Sequence, residues 1–402
     1  MKYDAIVVGA RAAGSSTAML LARKGYRVLA VDRATFPSDT LSTHYLQSPG
    51  MALLNEWRLA DRVAQVADPI DRLTFDLGGL VLSGFAANGP DHSYGPRRIT
   101  LDKILVDAAR EAGAEVREGF SVSEFLVENG AIVGVRGRSK NGAEVTEKAS
   151  IVIGADGRHS RLARAVGAEH YNEKPVLSAG YYSYFSGIDA HNALTVYPRG
   201  DRVVGVQATN HGQTLIFVQT PPGEFTEFRK DIEGNFMAAL GLVDGLRERV
   251  AEGTREERFY GTVDVANFFR KPFGRGWALV GDAGHAHDPT LAHGISGAFR
   301  DANLLTEAID KVFSGNAAYD EAMAAYQRRR DDAAMPIYEV IAEFASFQPP
   351  PPEQAEIMAA LVGNQPQLDR FMGVLCGTVS PADFFSPANV AAILGRELAA
   401  AA

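Results

Sequence analysis

The chain has one cysteine, Cys376, two tryptophans, and nowhere a run of apolar residues long enough to span a bilayer. A lone thiol excludes an internal disulfide framework and a thiolate metal cluster, and it fits a reducing compartment. A spanning helix needs about 18 or more consecutive apolar residues, so none is expected. An excess of basic charge is also missing. Forty Lys and Arg stand against 49 Asp and Glu, a net charge of −9, which argues against general binding of nucleic acid or of an anionic membrane surface. Lys2 precedes an apolar stretch, but Asp4 and Arg11 soon interrupt it. A first strand rather than a targeting segment is therefore expected there, and a cytoplasmic protein with it. No internal repeat is visible.

Hydrophobic residues make up 46% and charged residues 22%, which excludes a mostly disordered chain. At about 150 residues per domain, 402 residues suggest two or three domains. The 40 glycines are scattered, and they point to tight turns and close backbone approaches.

YDAIVV (3–8) reads as a buried strand, GARAAG (9–14) as a turn, and a helix follows through Lys24, closed by Gly25. RVLAVD (27–32) is a second strand, completing a βαβ unit. A helix is expected near 50–66, short strands at 72–86, and a helix over Leu101–Ala112 capped by Thr100. Strands at 115–127, 131–139 and 143–148 are joined by Asn129-Gly130 and Asn141-Gly142, favoured hairpin turns. SIVIGADG (150–157) reads as a separate buried strand. Residues 171–270 alternate as longer strands, with helices around 224–252. WALVGDA (277–283) is again a buried strand, with helices at 294–312 and 318–347, the latter expected to kink at Pro336. Pro349–Pro352 form a stiff break before a helical tail.

The first βαβ unit carries phosphate-binding chemistry. Gly9 allows the tight turn, Gly14 lets the helix pack closely, and the helix N-terminus at Ala13 offers N–H groups and a positive dipole end to a pyrophosphate. Asp32, 18 residues beyond Gly14, can accept from a ribose hydroxyl. Arg11 stands where G-x-G-x-x-G wants its second glycine, so it must swing away or bring its own charge to the phosphates.

GADGRHS (154–160) and GDAGHAHDP (281–289), followed by HGISGAFRDA (293–302), come later in the same order. Together with the glycine loop they resemble flavoprotein monooxygenases of the para-hydroxybenzoate hydroxylase type, over about residues 1–345. The resemblance implies an α/β fold: a Rossmann-like FAD-binding domain from 1–70, 97–170 and 271–345, a sheet-rich substrate domain from 71–96 and 171–270, and a helical tail over 346–402. It implies that Asp282 bonds the ribityl chain of FAD, that Pro289 sits beside the isoalloxazine, and that Gly294-Ile295 open a helix toward its pyrimidine end. A dipole end there would favour the anionic reduced flavin. Asp156 and Gly157 match the segment linked to FAD and to the nicotinamide cofactor. Arg33, Arg98 and Val122 fall where relatives contact FAD. The chain departs from the pattern at Ala163, where Arg is usual, and at Ala292 and Ser296 around Gly294.

The implied activity is a monooxygenase. NADH or NADPH reduces FAD, molecular oxygen adds at C4a as a hydroperoxide, and one oxygen atom passes to a small aromatic or polyketide-like substrate. His287 and Tyr182 are the candidates for a base that deprotonates a phenol. Flavin-dependent halogenases carry W-x-W-x-I-P, whereas Trp57 and Trp277 lie far apart. SDTLSTH (38–44) is similar instead to geranylgeranyl-reductase-like flavoproteins, so a flavin-dependent reductase is the alternative. A flavin-binding protein without turnover is a third reading. No metal is expected, since His285, His287 and His293 span a loop without a carboxylate framework. Ser160 lacks a G-x-S-x-G setting, and Cys376 reads as a small buried hydrophobe. Of Tyr181, Tyr182, Tyr184, Phe185, Tyr197 and Phe217, about half should be core and the rest free to line a pocket. Arg328–Arg330 read as a solvated helix face. Nothing in the sequence fixes the oligomeric state.

Overall fold

The computed structural model describes residues 3–90 and 92–396; Lys2 and the last residues of the tail, 397–402, lie outside the described residues. Two sheets dominate. The first is parallel at its centre, with strand Tyr3–Val8 between Val28–Val31 and Glu144–Gly154, and Glu115–Arg117 and Trp277–Leu279 outside them. Its central strands are buried on both faces, which explains their unbroken apolar runs. Helices Ala12–Arg23 and Gly294–Phe313 pack on one face, sharing a core of Met19, Leu21, Phe299 and Leu305.

The second sheet is mostly antiparallel, ordered 254–255, 179–186, 214–220, 202–208, 193–199, 72–76 and 81–84, with 260–262 also on strand 179–186. On one side it packs Tyr181, Phe185, Val204 and Ile216 against Phe228, Phe236 and Leu240 from the intervening helices. The C-terminal helices Gln365–Cys376 and Pro381–Phe384 place Phe371, Met372, Leu375 and Phe384 against Leu73, Phe75 and Leu82.

Local expectations needed three corrections. The strands expected at 143–148 and 150–157 are one strand, Glu144–Gly154. Its first half pairs with Ala131–Arg138 and its second half enters the parallel sheet. Thr100 is not a cap. The helix begins at Arg98, and its entry is held from outside, where Asn210 Oδ1 accepts from the Arg97 N–H at 2.6 Å. The helix expected near 50–66 is two, Ser48–Glu56 and Ala60–Ala64, separated at Arg58, whose φ is +62°. Pro336 lies within an unbroken helix, Tyr319–Phe344. No helix among the described residues is long and apolar enough to cross a membrane.

Candidate active site

A cavity of about 790 Å³ opens where the C-terminal ends of strands 3–8, 28–31 and 144–154 face strands 179–186 and 214–220. Ligands of open parallel sheets bind at that edge. All but one of the residues expected from the sequence to hold the cofactor or take part in catalysis line this cavity. The exception is Gly14, which lies behind the wall and serves packing: a Cβ there would meet the Gly9 carbonyl oxygen at 1.8 Å. Gly9 has φ +102°, and a Cβ on it would stand 2.3 Å from the Ala155 carbonyl oxygen. The two glycines therefore let the strand, the helix and the 154–157 turn converge.

Asp32 ties the loop down. Its carboxylate accepts from the Ala10 N–H at 2.7 Å and the Ala34 N–H at 2.8 Å, and each oxygen keeps a lone pair for a further donor. Ala13 and the helix start stand beside it, with first-turn N–H groups that have no carbonyl one turn back. Arg11 is largely committed. Its two terminal nitrogens donate to Ser38 O, Ser38 Oγ, Asp39 O and Asp102 Oδ2, at 2.6–3.0 Å. Only Nε–H remains to donate to a phosphate, and the guanidinium, still on the cavity wall, clamps the 38–39 segment. Arg98 bonds the same Asp102 at 2.8 Å. Arg33 and Val122 complete this end of the cavity wall.

On the adjoining turn, Asp156 Oδ2 accepts from the Arg161 N–H at 2.7 Å, while Oδ1 is buried without a partner. Burial pushes its pKa up. Gly157, with φ +77°, has nothing within 4 Å of a Cβ position. Asp282 sits in a short 3₁₀ turn, Gly281–Ala283, which lies against Ala13 because Gly281 has no side chain: a Cβ there would be 2.7 Å from the Ala13 Cβ. Pro289 opens another such turn, and Gly294-Ile295 begin the long helix. The chemistry fits FAD: two helix N-termini for anionic groups, and carboxylates of Asp32 and Asp282 on the cavity wall as acceptors for hydroxyl groups.

The two catalytic candidates, His287 and Tyr182, both line the cavity. Burial first, and then His285, push the His287 pKa down to about 4. The ring is thus neutral at pH 7. Its Nδ1–H donates to the Asp288 carbonyl at 3.0 Å, which leaves Nε2 as an acceptor. Burial pushes the Tyr182 phenol up to about 12, so Tyr182 is a proton donor. His287 thus brings to the cavity an Nε2 lone pair able to accept a proton, and Tyr182 a proton to donate. Tyr182 and Phe217 are cross-strand neighbours on the cavity wall. Tyr181 and Phe185 pack on Phe228 and Phe236. His285 lies 3.1 Å from Asp301, and His293 Nε2 donates to the Leu375 carbonyl at 2.8 Å, so the three histidines serve separate partners.

Sequence reading missed a strap. Residues 40–43 wall the cavity, Gln207 donates to the Thr43 carbonyl at 2.9 Å, and buried His44, with φ +63°, bonds Tyr184 OH through Nε2 at 2.5 Å. Arg97 stacks over Tyr184 at 4.0 Å and bridges Asp39 and Glu257. The unusual SDTLSTH segment was the only signal of it.

Comparison with known proteins accords with this geometry. The family model for an FAD binding domain matches residues 2–340. Digeranylgeranylglycerophospholipid reductase of Methanosarcina acetivorans is 26% identical over 350 residues, covering 81% of this chain and 80% of the relative. The myxobacterial chondrochloren halogenase CndH superposes with a TM-score of 0.80 at 21% identity, covering 92% of both chains. Pseudomonas aeruginosa PqsL, named a probable FAD-dependent monooxygenase and also solved with 2-aminobenzoylacetate, superposes with a TM-score of 0.72 at 20% identity, covering 92% of this chain and 99% of that one. The chain belongs to the FAD binding domain family and is an FAD-dependent oxidoreductase.

Proposed function

We propose that the enzyme is a monooxygenase that hydroxylates a small aromatic substrate, with NADH or NADPH as electron donor and molecular oxygen as co-substrate. The observation that carries this reading is the wall opposite the Pro289 turn. Tyr182 and Phe217, cross-strand neighbours, put aromatic surface on the wall of the same cavity as the glycine loop, Asp282 and Gly294. Bound FAD supplies the redox chemistry, taking electrons from the nicotinamide and activating oxygen. The protein binds, orients and dries the site. The helix opening at Gly294 favours negative charge nearby. His287 Nε2 accepts a hydrogen bond, and Tyr182 donates one. Leu215, Phe217, Val218 and Val265 line the cavity with apolar surface that excludes water. PqsL, solved with 2-aminobenzoylacetate, is in keeping with an aromatic substrate.

A second reading, reduction of a carbon–carbon double bond, has one observation in its favour. Hydride delivery to an alkene needs a proton donor, and Tyr182 keeps its proton. The reductase relatives point the same way. Nicotinamide oxidation measured with phenols in air, and with prenyl alcohols without oxygen, separates the two. A product heavier by one oxygen atom is expected. An alkene reduced anaerobically, with no oxygenated product in air, would establish the second reading instead.

A further inference from the structure

One row of paired residues crosses the second sheet. Tyr260 pairs with Tyr182, Tyr182 with Phe217, Phe217 with Gly205, Gly205 with Val196 and Val196 with Phe75. Directly paired residues share a face, so five bulky side chains and one glycine stand in line on the face that carries Tyr182 and Phe217. Gly205 is regular strand, paired on both sides and without a positive φ. Backbone freedom is therefore not what calls for glycine there. A glycine inside a strand commonly marks a close approach instead.

The group that approaches is the Phe217 ring. A Cβ at Gly205 would fall between 2.0 and 2.7 Å from three of its ring carbons, against about 3.5–4.0 Å for carbon atoms in contact. The ring thus lies over the glycine, turned away from Tyr182, whose own ring stacks on Tyr260 with centroids 5.3 Å apart. Two cross-strand neighbours that lean apart leave space between them, and both line the cavity. The same sheet holds a second such pair, Gly261 beneath Tyr181, on its other face. There Phe228 covers the tyrosine with centroids 4.3 Å apart, and the fit is plain packing. Phe217, by contrast, is only partly buried and forms cavity wall.

We infer that Gly205 is a positioning residue that sets the size of molecule the cavity admits beside FAD: by giving the Phe217 ring a resting place on the sheet, it keeps the wall drawn back. A side chain at position 205 would lift that ring. Leu215 and Gln219 on its own strand, and Tyr182 across from it, occupy the directions within the sheet, so the cavity is the direction left. Gly205 itself lies under the ring and off the cavity wall, and it acts only through the phenylalanine. That the substrate shares this cavity with FAD rests on the proposed function; the coupling between position 205 and the ring does not.

The test titrates phenol and 2-naphthol, one ring and two, into the purified holoenzyme and reads binding from the perturbed flavin absorbance. In Gly205→Ala the ratio of naphthol to phenol affinity should fall about tenfold, with phenol and FAD affinities each held within about twofold. Combined with Phe217→Leu, which removes the ring, the same substitution should change that ratio by no more than about twofold, as expected of two positions coupled through contact. Phe217→Trp narrows the cavity from the ring side with Gly205 intact. It should lower the ratio as well, and it decides the matter if Gly205→Ala alone does not fold. Equal weakening of both probes, loss of FAD affinity in step with naphthol, a fall that persists beside Phe217→Leu, or binding of neither probe by the native enzyme would overturn the inference. A native enzyme whose ratio responds as stated yet never oxygenates a phenol would overturn the proposed function and leave this inference standing.

Discussion

Asp102 has no exposed surface, yet two guanidinium groups converge on it, Arg11 at 2.6 Å and Arg98 at 2.8 Å. A buried carboxylate is tolerable only when so paired. Through Arg11 the same charge fastens Ser38 and Asp39, the start of the strap that walls the cavity. The arginine in the glycine loop thus has a mechanical task that its position in the motif does not reveal. Arg11→Gly restores the usual glycine pattern but removes four hydrogen bonds and half the compensation of Asp102. Hydrogen bonds to charged groups are worth about 1.5–3 kcal/mol, so thermal unfolding should move down by several degrees. FAD should bind more weakly because the strap loosens. Calorimetry and a flavin titration check both, and tighter FAD binding at an unchanged melting temperature would show that Arg11 obstructs the phosphates.

Among the elements, the segment from Ala283 to Ala292 is the most constrained. Gly281 with φ +60° lets it start against the first helix, Asp288 holds its middle with three donors, and Ala292 ends it with φ +54°. Pro289 fixes φ at the first position of the turn Pro289–Leu291. Pro289→Gly should leave FAD bound, because the glycine loop and Asp282 are untouched, while the cavity wall loses its fixed shape. Hydrogen peroxide should rise and oxygenated product fall at similar nicotinamide consumption; equal yields of both would place the substrate elsewhere. This stretch was legible in sequence because Gly281, Asp282, Pro289 and Gly294 are backbone-shaping residues at short spacing. Its counterpart was not. His44 and Tyr184 meet across 140 residues, and pairing between distant strands leaves no local pattern to read. Likewise no turn signal separates Lys148 from Ser150, yet that is where the long strand changes sheets, and Arg58 breaks a helix with a φ ordinarily left to glycine.

At the scale of the molecule, two buried histidines join parts that are distant in the chain, and a third, partly buried, lines the cavity. His44 fastens the strap to the second sheet, His287 lies in the cavity loop, and His293 ties the start of the long helix to Leu375 in the C-terminal helices. Burial holds them neutral, with pKa values pushed down to about 3, about 4 and about 3. The sign of the consequence follows from linkage. Below the unfolded value of about 6.5, the unfolded chain takes up protons that the folded chain refuses, so stability falls as pH falls, by up to about 1.4 kcal/mol per pH unit for each histidine. Carboxylates held low by cations, such as Asp4 beside Arg27 and Asp310 beside Lys24, add to this loss only in stronger acid. Asp156 and Asp288, pushed up by burial, oppose it, because they bind protons preferentially in the fold. Between pH 6.5 and 5 the histidines dominate, and the urea midpoint should drop across that window. His293→Gln isolates one of them: the amide N–H can still donate to Leu375, but it does not titrate. Its midpoint should decline less steeply over the same window than that of the native protein, while the two converge in slope above pH 7.5. An identical slope in the variant would mean that His293 is protonated in the fold and that the tail is held by a charged hydrogen bond.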